Sequence, residues 1–136
     1  MRGLKGLLIR KIVITGILWC IPLLAFPTSW LVALGIPAPE PLLFVRLLGA
    51  AYLALLVGYY MGMKGLEKGD SPKQVIYMGI ASNGLACLLL VYFGATGAWS
   101  SWGVGAQIFM WISALGTLGI TLNLLRFRRY LGERKE

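Results

Sequence analysis

The chain has 136 residues, of which 58% are hydrophobic and only 13% are charged, and its formal net charge is +8. Soluble domains average about 25% charged residues, so this composition excludes an ordinary water-soluble domain and predicts an integral membrane protein. The sequence contains no histidine, which removes the usual ligand of haem and zinc and the usual general base.

Four apolar runs are long enough to cross a bilayer, which takes about 20 residues of helix. The predicted helices cover residues 8–26, 42–63, 73–93 and 102–125, with a short interfacial helix over 29–34. Gly35 is expected to end the short helix, because glycine tolerates the left-handed conformation that follows a helix. Short linkers favour antiparallel packing of successive helices. The sequence therefore predicts an all-α, antiparallel four-helix bundle that forms a single transmembrane domain over residues 1–136.

The start of the chain has the order of a signal peptide, with basic residues before an apolar run. The segment "LLAFPTS" that follows lacks the small residues of a cleavage site. We therefore expect this segment to be retained as the first membrane helix.

The basic residues are distributed very unevenly along the chain. Twelve of the 13 Lys and Arg residues lie in the N-terminal cluster that ends with Arg10 and Lys11, in the 64–73 loop, or at the C-terminus. The opposite loops, 27–41 and 94–101, contain none. Because cytoplasmic loops of membrane proteins carry the excess of Lys and Arg, both termini are predicted to be cytoplasmic. The clusters suit anionic lipid headgroups, and no nucleic-acid partner is predicted, because exposed aromatics do not interleave with them.

Arg46 is the remaining basic residue, and it lies about four residues inside the second predicted helix. A charge in an apolar helix is costly and usually has a specific purpose. The candidate partners of its guanidinium are Glu40, carbonyls of the outer loop, a lipid phosphate, and Gln107, with Trp102 close to the same outer end. Two interpretations remain open. Arg46 either holds the outer loop on the bundle, or binds an anionic headgroup or carboxylated ligand in an outward-facing pocket.

Small residues follow Arg46 along the second helix at intervals of four. They are Ala50, Ala54, Gly58 and Gly62. Because small residues let helix backbones approach closely in lipid, these four are predicted to form a helix-packing face.

Three further polar residues lie inside predicted helices, namely Asn83, Ser113 and Thr117. We interpret them as residues that form hydrogen bonds between helices. The alternative is that they line a transport path.

The sequence does not support an autonomous enzyme. No Asp or Glu lies within a predicted helix, and no Cys-x-x-Cys is present, so we predict no catalytic residue, no metal site and no cofactor. The leading hypothesis is an accessory or structural subunit of a larger membrane complex, whose partners are other membrane subunits or a second copy. The alternatives are a lipid- or quinone-binding protein with an outward pocket near Arg46, and a passive channel or small exporter.

The segment "FPTSWLVALGIPAPEPLLFVRLLGAAYLALLVGYYMG", residues 26–62, resembles small bacterial membrane proteins of the DoxX-like and BphX-like kind. The likeness lies in the proline after the first helix, the Leu34-Gly35 ending, the Pro37 and Pro39 pair, and Arg46 followed by Gly49. The resemblance implies a four-helix bundle in the bacterial cytoplasmic membrane. For some DoxX-like proteins it also implies a place as a membrane subunit beside redox enzymes, and it carries no catalytic residue to this chain.

Overall fold

The computed structural model describes residues 2–38 and 41–132. Its helical segments, in chain order, are Arg2–Thr15, Gly16–Cys20 as a π-helix, Ile21–Ala25, Thr28–Ala33, Leu43–Glu67, Lys73–Ala95 and Val104–Gly132. Within the described residues there is no strand, which confirms the all-α class. The side chains of Arg2 and of residues 129–132 are not described.

Four of the helices are long and apolar enough to cross a membrane. They are Gly3–Ala25, Leu43–Glu67, Lys73–Ala95 and Val104–Arg128, called here the first to fourth spans. The first begins before the predicted residue 8, because the basic start of the chain is itself helical. Leu4 and Leu8 lie one helical turn apart on the buried face of this segment, and both are almost completely buried.

The first span is interrupted by the π-helical turn Gly16–Cys20, at whose end the backbone N–H of Ile21 donates to the carbonyl of Gly16. Pro22 follows directly, and because it has no N–H it cannot bond back to the preceding turn. A π-turn adds one residue to a helix and so shifts which side chains share a face. Trp19, which belongs to this turn, lines a cavity between the spans.

Successive spans pack on one another, and the fourth packs far more extensively on the third than on the first. Lys5 forms an ion pair with Glu67, which joins the start of the first span to the end of the second. At the other end, a Cβ built on Gly49 would lie 2.9 Å from Leu24. The main buried cluster includes Leu8, Tyr59 and residues of the third and fourth spans, so the core lies towards the end of the bundle that holds the Lys5–Glu67 ion pair, called here the basic rim.

The loops at the end of the bundle opposite the basic rim are joined by Gly35 and Gly103. The short helix Thr28–Ala33 agrees with the predicted 29–34 and ends at Gly35, whose φ is +78°. The N–H of Gly35 donates to the carbonyl of Val32 at 2.8 Å, as expected for a helix end with a left-handed glycine. The N–H of Gly103 donates to the carbonyl of Gly35 at 3.0 Å. A Cβ on Gly35 would lie 2.8 Å from the Cα of Gly103, so this contact requires glycine.

The prediction of a packing face on the second span is wrong for the half nearer Arg46. Gly58 and Gly62 do contact the third span, and a Cβ on Gly62 would lie 2.6 Å from Val75. Ala50 and Ala54, however, are exposed on the surface of the bundle. A row spaced by four residues drifts by roughly 40° per step around a helix of 3.6 residues per turn, so it cannot stay on one face.

Candidate functional site

Arg46 holds the end of the first span. Its Nη1 donates to the carbonyl of Leu23 and its Nη2 donates to the carbonyl of Phe26, both at 2.6 Å. The last four carbonyls of a helix have no partner within the helix, and the helix dipole favours a positive charge there. Gly49 lies one turn further along the second span and lets the first span approach, because it has no side chain to keep Leu24 away.

The other residues of the predicted outer site have separate roles or are not described. Gln107 donates from Nε2 to the carbonyls of Ser100 at 3.1 Å and Trp102 at 2.8 Å, which ties the outer loop to the fourth span. Glu40 lies outside the described residues. Among the described residues, the Arg46 guanidinium donates to Leu23 in the first span and to Phe26 directly after it, and Gln107 is not one of its partners.

A cavity of about 440 Å³ lies between the four spans, all of which contribute to its lining. Its volume is within the range of about 300–1,000 Å³ that is usual for small-molecule sites. Most of the lining is aliphatic or aromatic. The lining residues that carry a polar side-chain atom are Lys11, Thr15, Trp19, Tyr52, Tyr59, Ser82, Asn83, Ser113 and Thr117. Arg46, Gln107 and Trp102 do not line this cavity.

Lys11 is the charged residue of the lining. Its Nζ donates to Oδ1 of Asn83 at 2.6 Å and lies 6.0 Å from the centre of the Tyr59 ring. An ammonium group carries three N–H donors. Since the described protein atoms accept a hydrogen bond from Nζ only at Asn83, the group has donors left for a molecule in the cavity.

Asn83 is held in position by a hydrogen-bonded network. Its Nδ2 donates to the hydroxyl of Tyr59 at 2.9 Å and to the carbonyl of Gly79 at 2.8 Å. The Tyr59 hydroxyl is also hydrogen-bonded to Oγ of Ser82 at 2.9 Å. Asn83 and Tyr59 are only 2% and 1% exposed. Because an ammonium can only donate, this network turns the Asn83 carbonyl oxygen towards Lys11 and fixes the place of the charge.

The polar end of the cavity lies well inside the apolar part of the bundle. Lys11 is six residues beyond Lys5, which pairs with Glu67 at the basic rim, so it lies about 9 Å deeper at 1.5 Å per residue. Asn83 is ten residues beyond the start of the third span, about 15 Å by the same rise. The hydrocarbon core of a bilayer is about 30 Å thick. Lys11 is therefore not a rim residue, which corrects its predicted place in the N-terminal basic cluster.

Aromatic rings close the opposite end of the cavity. The ring of Trp19 lies 5.4 Å from that of Tyr52 and 5.1 Å from that of Phe109, measured between centroids. Trp19 belongs to the π-turn Gly16–Cys20. The turn therefore places an aromatic side chain at the end of the cavity away from Lys11, and π-turns are frequent at functional sites.

The cavity opens between the first and fourth spans. Among its lining side chains, Ile14 and Leu18 of the first span are 54% and 46% exposed, and Ile112 of the fourth is 59% exposed. Gly116 lies in the same part of the lining, and a Cβ built on it would meet nothing within 4 Å. The opening is thus on the side of the bundle, between two apolar helices.

Asn83, Ser113 and Thr117 all line this one cavity. Asn83 forms hydrogen bonds between helices, as predicted from the sequence. The hydroxyls of Ser113 and Thr117 do not, because they donate to carbonyls one turn earlier in their own helix, at 2.8 Å to Phe109 and 3.0 Å to Ser113. The interpretation of these two residues as links between helices is therefore wrong.

The spacing of residues in the sequence indicates that Lys11 lies on the buried helix face, although Arg10 beside it makes the two look like one basic pair. Leu4, Leu8, Lys11 and Thr15 are spaced by four, three and four residues, which is the period of one helix face. Three of the four are almost fully buried, and Lys11 is half-buried. Arg10 lies on a different face, is exposed, and donates to the carbonyl of Gly6 at 3.3 Å.

Comparison of the chain with protein-family models, with curated proteins and with solved structures finds no match. The resemblance of residues 26–62 to DoxX-like and BphX-like proteins therefore stays a prediction from the sequence. The candidate site rests on its own geometry: an apolar cavity, one cation held by a buried amide, an aromatic end and a lateral opening.

Proposed function

We propose that this protein is a non-catalytic membrane protein that binds a lipid-soluble amphipathic molecule, of the lipid or quinone kind, in the cavity between its spans. The observation that carries the proposal is the ammonium of Lys11, which faces a mainly apolar cavity of about 440 Å³. A charge near the centre of a membrane helix costs about 2.5–3.5 kcal/mol and usually marks a functional site. A polar head that accepts hydrogen bonds from Lys11 offsets that cost.

The place of the opening supports a ligand that comes from the bilayer. Ile14, Leu18 and Ile112 lie at the opening and are apolar. In a bundle that spans the membrane, the gap between them faces acyl chains. A molecule dissolved in the bilayer therefore enters without passing through water.

Mass spectrometry of co-purified molecules tests the proposal. The protein is extracted from membranes with its surrounding lipid, and the extract is compared between wild type, Gly116→Leu and Gly119→Leu. At both glycines a Cβ meets nothing within 4 Å, but only Gly116 lines the cavity. We expect one class of molecule to be enriched over bulk lipid in wild type and Gly119→Leu and to be lost from Gly116→Leu. Identical extracts from the two variants contradict the proposal.

We further propose an antiparallel bundle in the bacterial cytoplasmic membrane, with both termini in the cytoplasm. The supporting observations are that every Lys and Arg except Arg46 belongs to one of the two terminal segments or to the 64–73 loop, and that the loops 27–41 and 94–101 contain none. In cells whose native cysteines are replaced, a membrane-impermeant maleimide should label Ala98→Cys and leave Lys68→Cys unlabelled until the cells are opened. The reverse order of labelling would overturn this orientation.

A role as an accessory subunit is the second candidate. Ala50 and Ala54 are exposed on the second span, and small residues on a lipid-facing surface let another helix approach closely. Native mass spectrometry after gentle extraction should then show a second copy or a partner chain, and Ala54→Leu should remove it without unfolding the bundle. A species that is monomeric at every concentration argues against this candidate.

The passive channel has weaker support. Trp19 and Phe109 are in ring contact across one end of the cavity, and the hydroxyls of Ser113 and Thr117 are bonded to their own helix. If the protein nevertheless conducts, its flux in liposomes will exceed that of empty vesicles.

A further inference from the structure

We propose that the polar head of the ligand is a singly charged anion on one alkyl chain, namely a long-chain carboxylate, and that Lys11 binds it. This inference rests on the proposed binding function of the cavity. It identifies the chemical class of the ligand and separates a charged amphiphile from a neutral quinone.

The positive charge of Lys11 is not neutralised by any described carboxylate. In the part of the chain that the structure describes, the ion pairs are Lys5–Glu67 and Lys64–Glu67, so neither involves Lys11. A neutral carbonyl would accept a hydrogen bond from the ammonium and leave its charge uncompensated. A carboxylate accepts the hydrogen bond and also neutralises the charge, and a charge inside a protein is costly unless it is paired.

The charge and the free N–H donors of Lys11 also match those of a carboxylate. Lys11 supplies one positive charge, and no other Lys or Arg among the residues that the structure describes lines this cavity. A carboxylate carries one negative charge, whereas a phosphate monoester carries about −1.5 to −2 at neutral pH and would leave an excess. One N–H of Lys11 is bonded to Asn83, and the remaining two match the two oxygens of a carboxylate.

The shape of the cavity also favours a molecule with one alkyl chain. Lys11 and Trp19 are eight residues apart on one helix, so the cavity extends about 12 Å from the charge to the aromatic end. With a volume of about 440 Å³, it suits a single chain. The remainder of a longer chain can leave between Ile14, Leu18 and Ile112, where the bundle is open. A two-chain lipid would have to leave one of its chains outside.

Fluorescence quenching in neutral phosphatidylcholine nanodiscs tests the inference. The probes are stearate with two bromines at mid-chain and its methyl ester, which has the same chain and no charge. Bromine quenches a nearby tryptophan, and Trp19 lies at the expected depth of the bromines. We expect saturable quenching by the acid and binding of the ester that is weaker by about tenfold or more, because the ester carbonyl accepts a hydrogen bond from Lys11 but does not neutralise its charge.

Variants of Lys11 separate charge from hydrogen bonding. Lys11→Gln is neutral but retains a donor for Asn83, and it should weaken binding of the acid by about tenfold and binding of the ester much less. Lys11→Arg keeps the charge and should keep the preference for the acid. Trp19→Phe should remove the saturable part of the quenching, which assigns the signal to the cavity.

Two glycine variants make the outcomes distinguishable. Gly116→Leu should abolish saturable quenching by both probes, and Gly119→Leu should behave as wild type. If acid and ester bind equally and Lys11→Gln has no effect, while Gly116→Leu still abolishes both, the carboxylate inference is overturned and the cavity function stands. If Gly116→Leu binds both probes as Gly119→Leu does, the cavity is not the binding site and both proposals fail.

Discussion

Arg46 and Lys11 are both cations placed inside apolar helices, yet the protein uses them differently. Arg46 directs its two terminal nitrogens to the carbonyls of Leu23 and Phe26, and it thereby fastens the end of the first span to the second. Lys11 makes one hydrogen bond, to Asn83, and its remaining donors face a cavity. The comparison indicates that the role of a cation in a membrane helix depends on how many of its donors the protein itself occupies.

The chemistry of the two side chains suits these roles. A guanidinium is planar and presents a rigid fork, which can bind two backbone carbonyls at once. An ammonium is a compact charge on a flexible stem, and it can be shared between a fixed amide and a ligand that comes and goes. The two residues therefore differ in what their removal should do to the free energy of unfolding.

The largest effect is expected for Arg46→Leu. It removes two hydrogen bonds from a charged group, each worth about 1.5–3 kcal/mol before compensation, so we expect a loss of about 3 kcal/mol of stability. Detergent-induced unfolding in mixed micelles measures this loss. Arg46→Lys, which keeps the charge without the fork, should lie between the variant and wild type. If Arg46→Leu is as stable as wild type, Arg46 is not an anchor.

Gly49→Ala is expected to have the next largest effect. A Cβ at this position would lie 2.9 Å from Leu24 and 3.0 Å from Leu23, so the first span must move away from the anchor. Overpacking of this kind costs about 1–3 kcal/mol. The control is Gly119→Ala, where a Cβ has open space and alanine is the better helix former. Equal unfolding midpoints for the two variants would mean that the close approach at Gly49 does not support Arg46.

Much of the fold follows from the sequence, because the need to satisfy every backbone polar group in lipid makes apolar runs helical. The third span begins at residue 73 as predicted, and Gly35 ends the short helix as predicted. The first span begins earlier, and the fourth span ends later, than predicted. Hydropathy falls at basic residues, but Lys and Arg can extend their charges to the interface while the helix continues, and the fourth helix reaches Gly132.

The site is less predictable because it depends on which faces meet. Outer-loop carbonyls were among the expected partners of Arg46, but the choice of Leu23 and Phe26 depends on the close approach at Gly49. Arg10 and Lys11 form one basic pair in the sequence, yet successive residues point about 100° apart around a helix. One of the pair therefore reaches the surface and the other reaches the cavity.

Asn83→Ala should have a smaller effect on stability. Asn83 forms two hydrogen bonds to other helices, with Lys11 and Tyr59, and such bonds average about 0.6 kcal/mol each in a membrane bundle. We therefore expect a loss of about 1 kcal/mol, together with weaker ligand binding because Lys11 loses its fixed partner. Asn123→Ala is the matched control, because Asn123 is exposed and bonds only to Gly119 of its own helix. Equal losses of stability in the two variants would mean that Asn83 does not hold Lys11 in position.

Lys11→Gln should have the smallest effect on stability, within about 0.5 kcal/mol of wild type. The variant loses little, because glutamine can still donate to Asn83 and a single bond of this kind is worth about 0.6 kcal/mol. It also gains, because a charge that costs free energy inside the bundle is removed. The unfolding midpoint in mixed micelles without added ligand, compared with that of Arg46→Leu, measures the contrast. A loss as large as that of Arg46→Leu would make Lys11 a second anchor. A midpoint close to wild type would mean that folding does not require the charge, as the proposed binding role of Lys11 predicts.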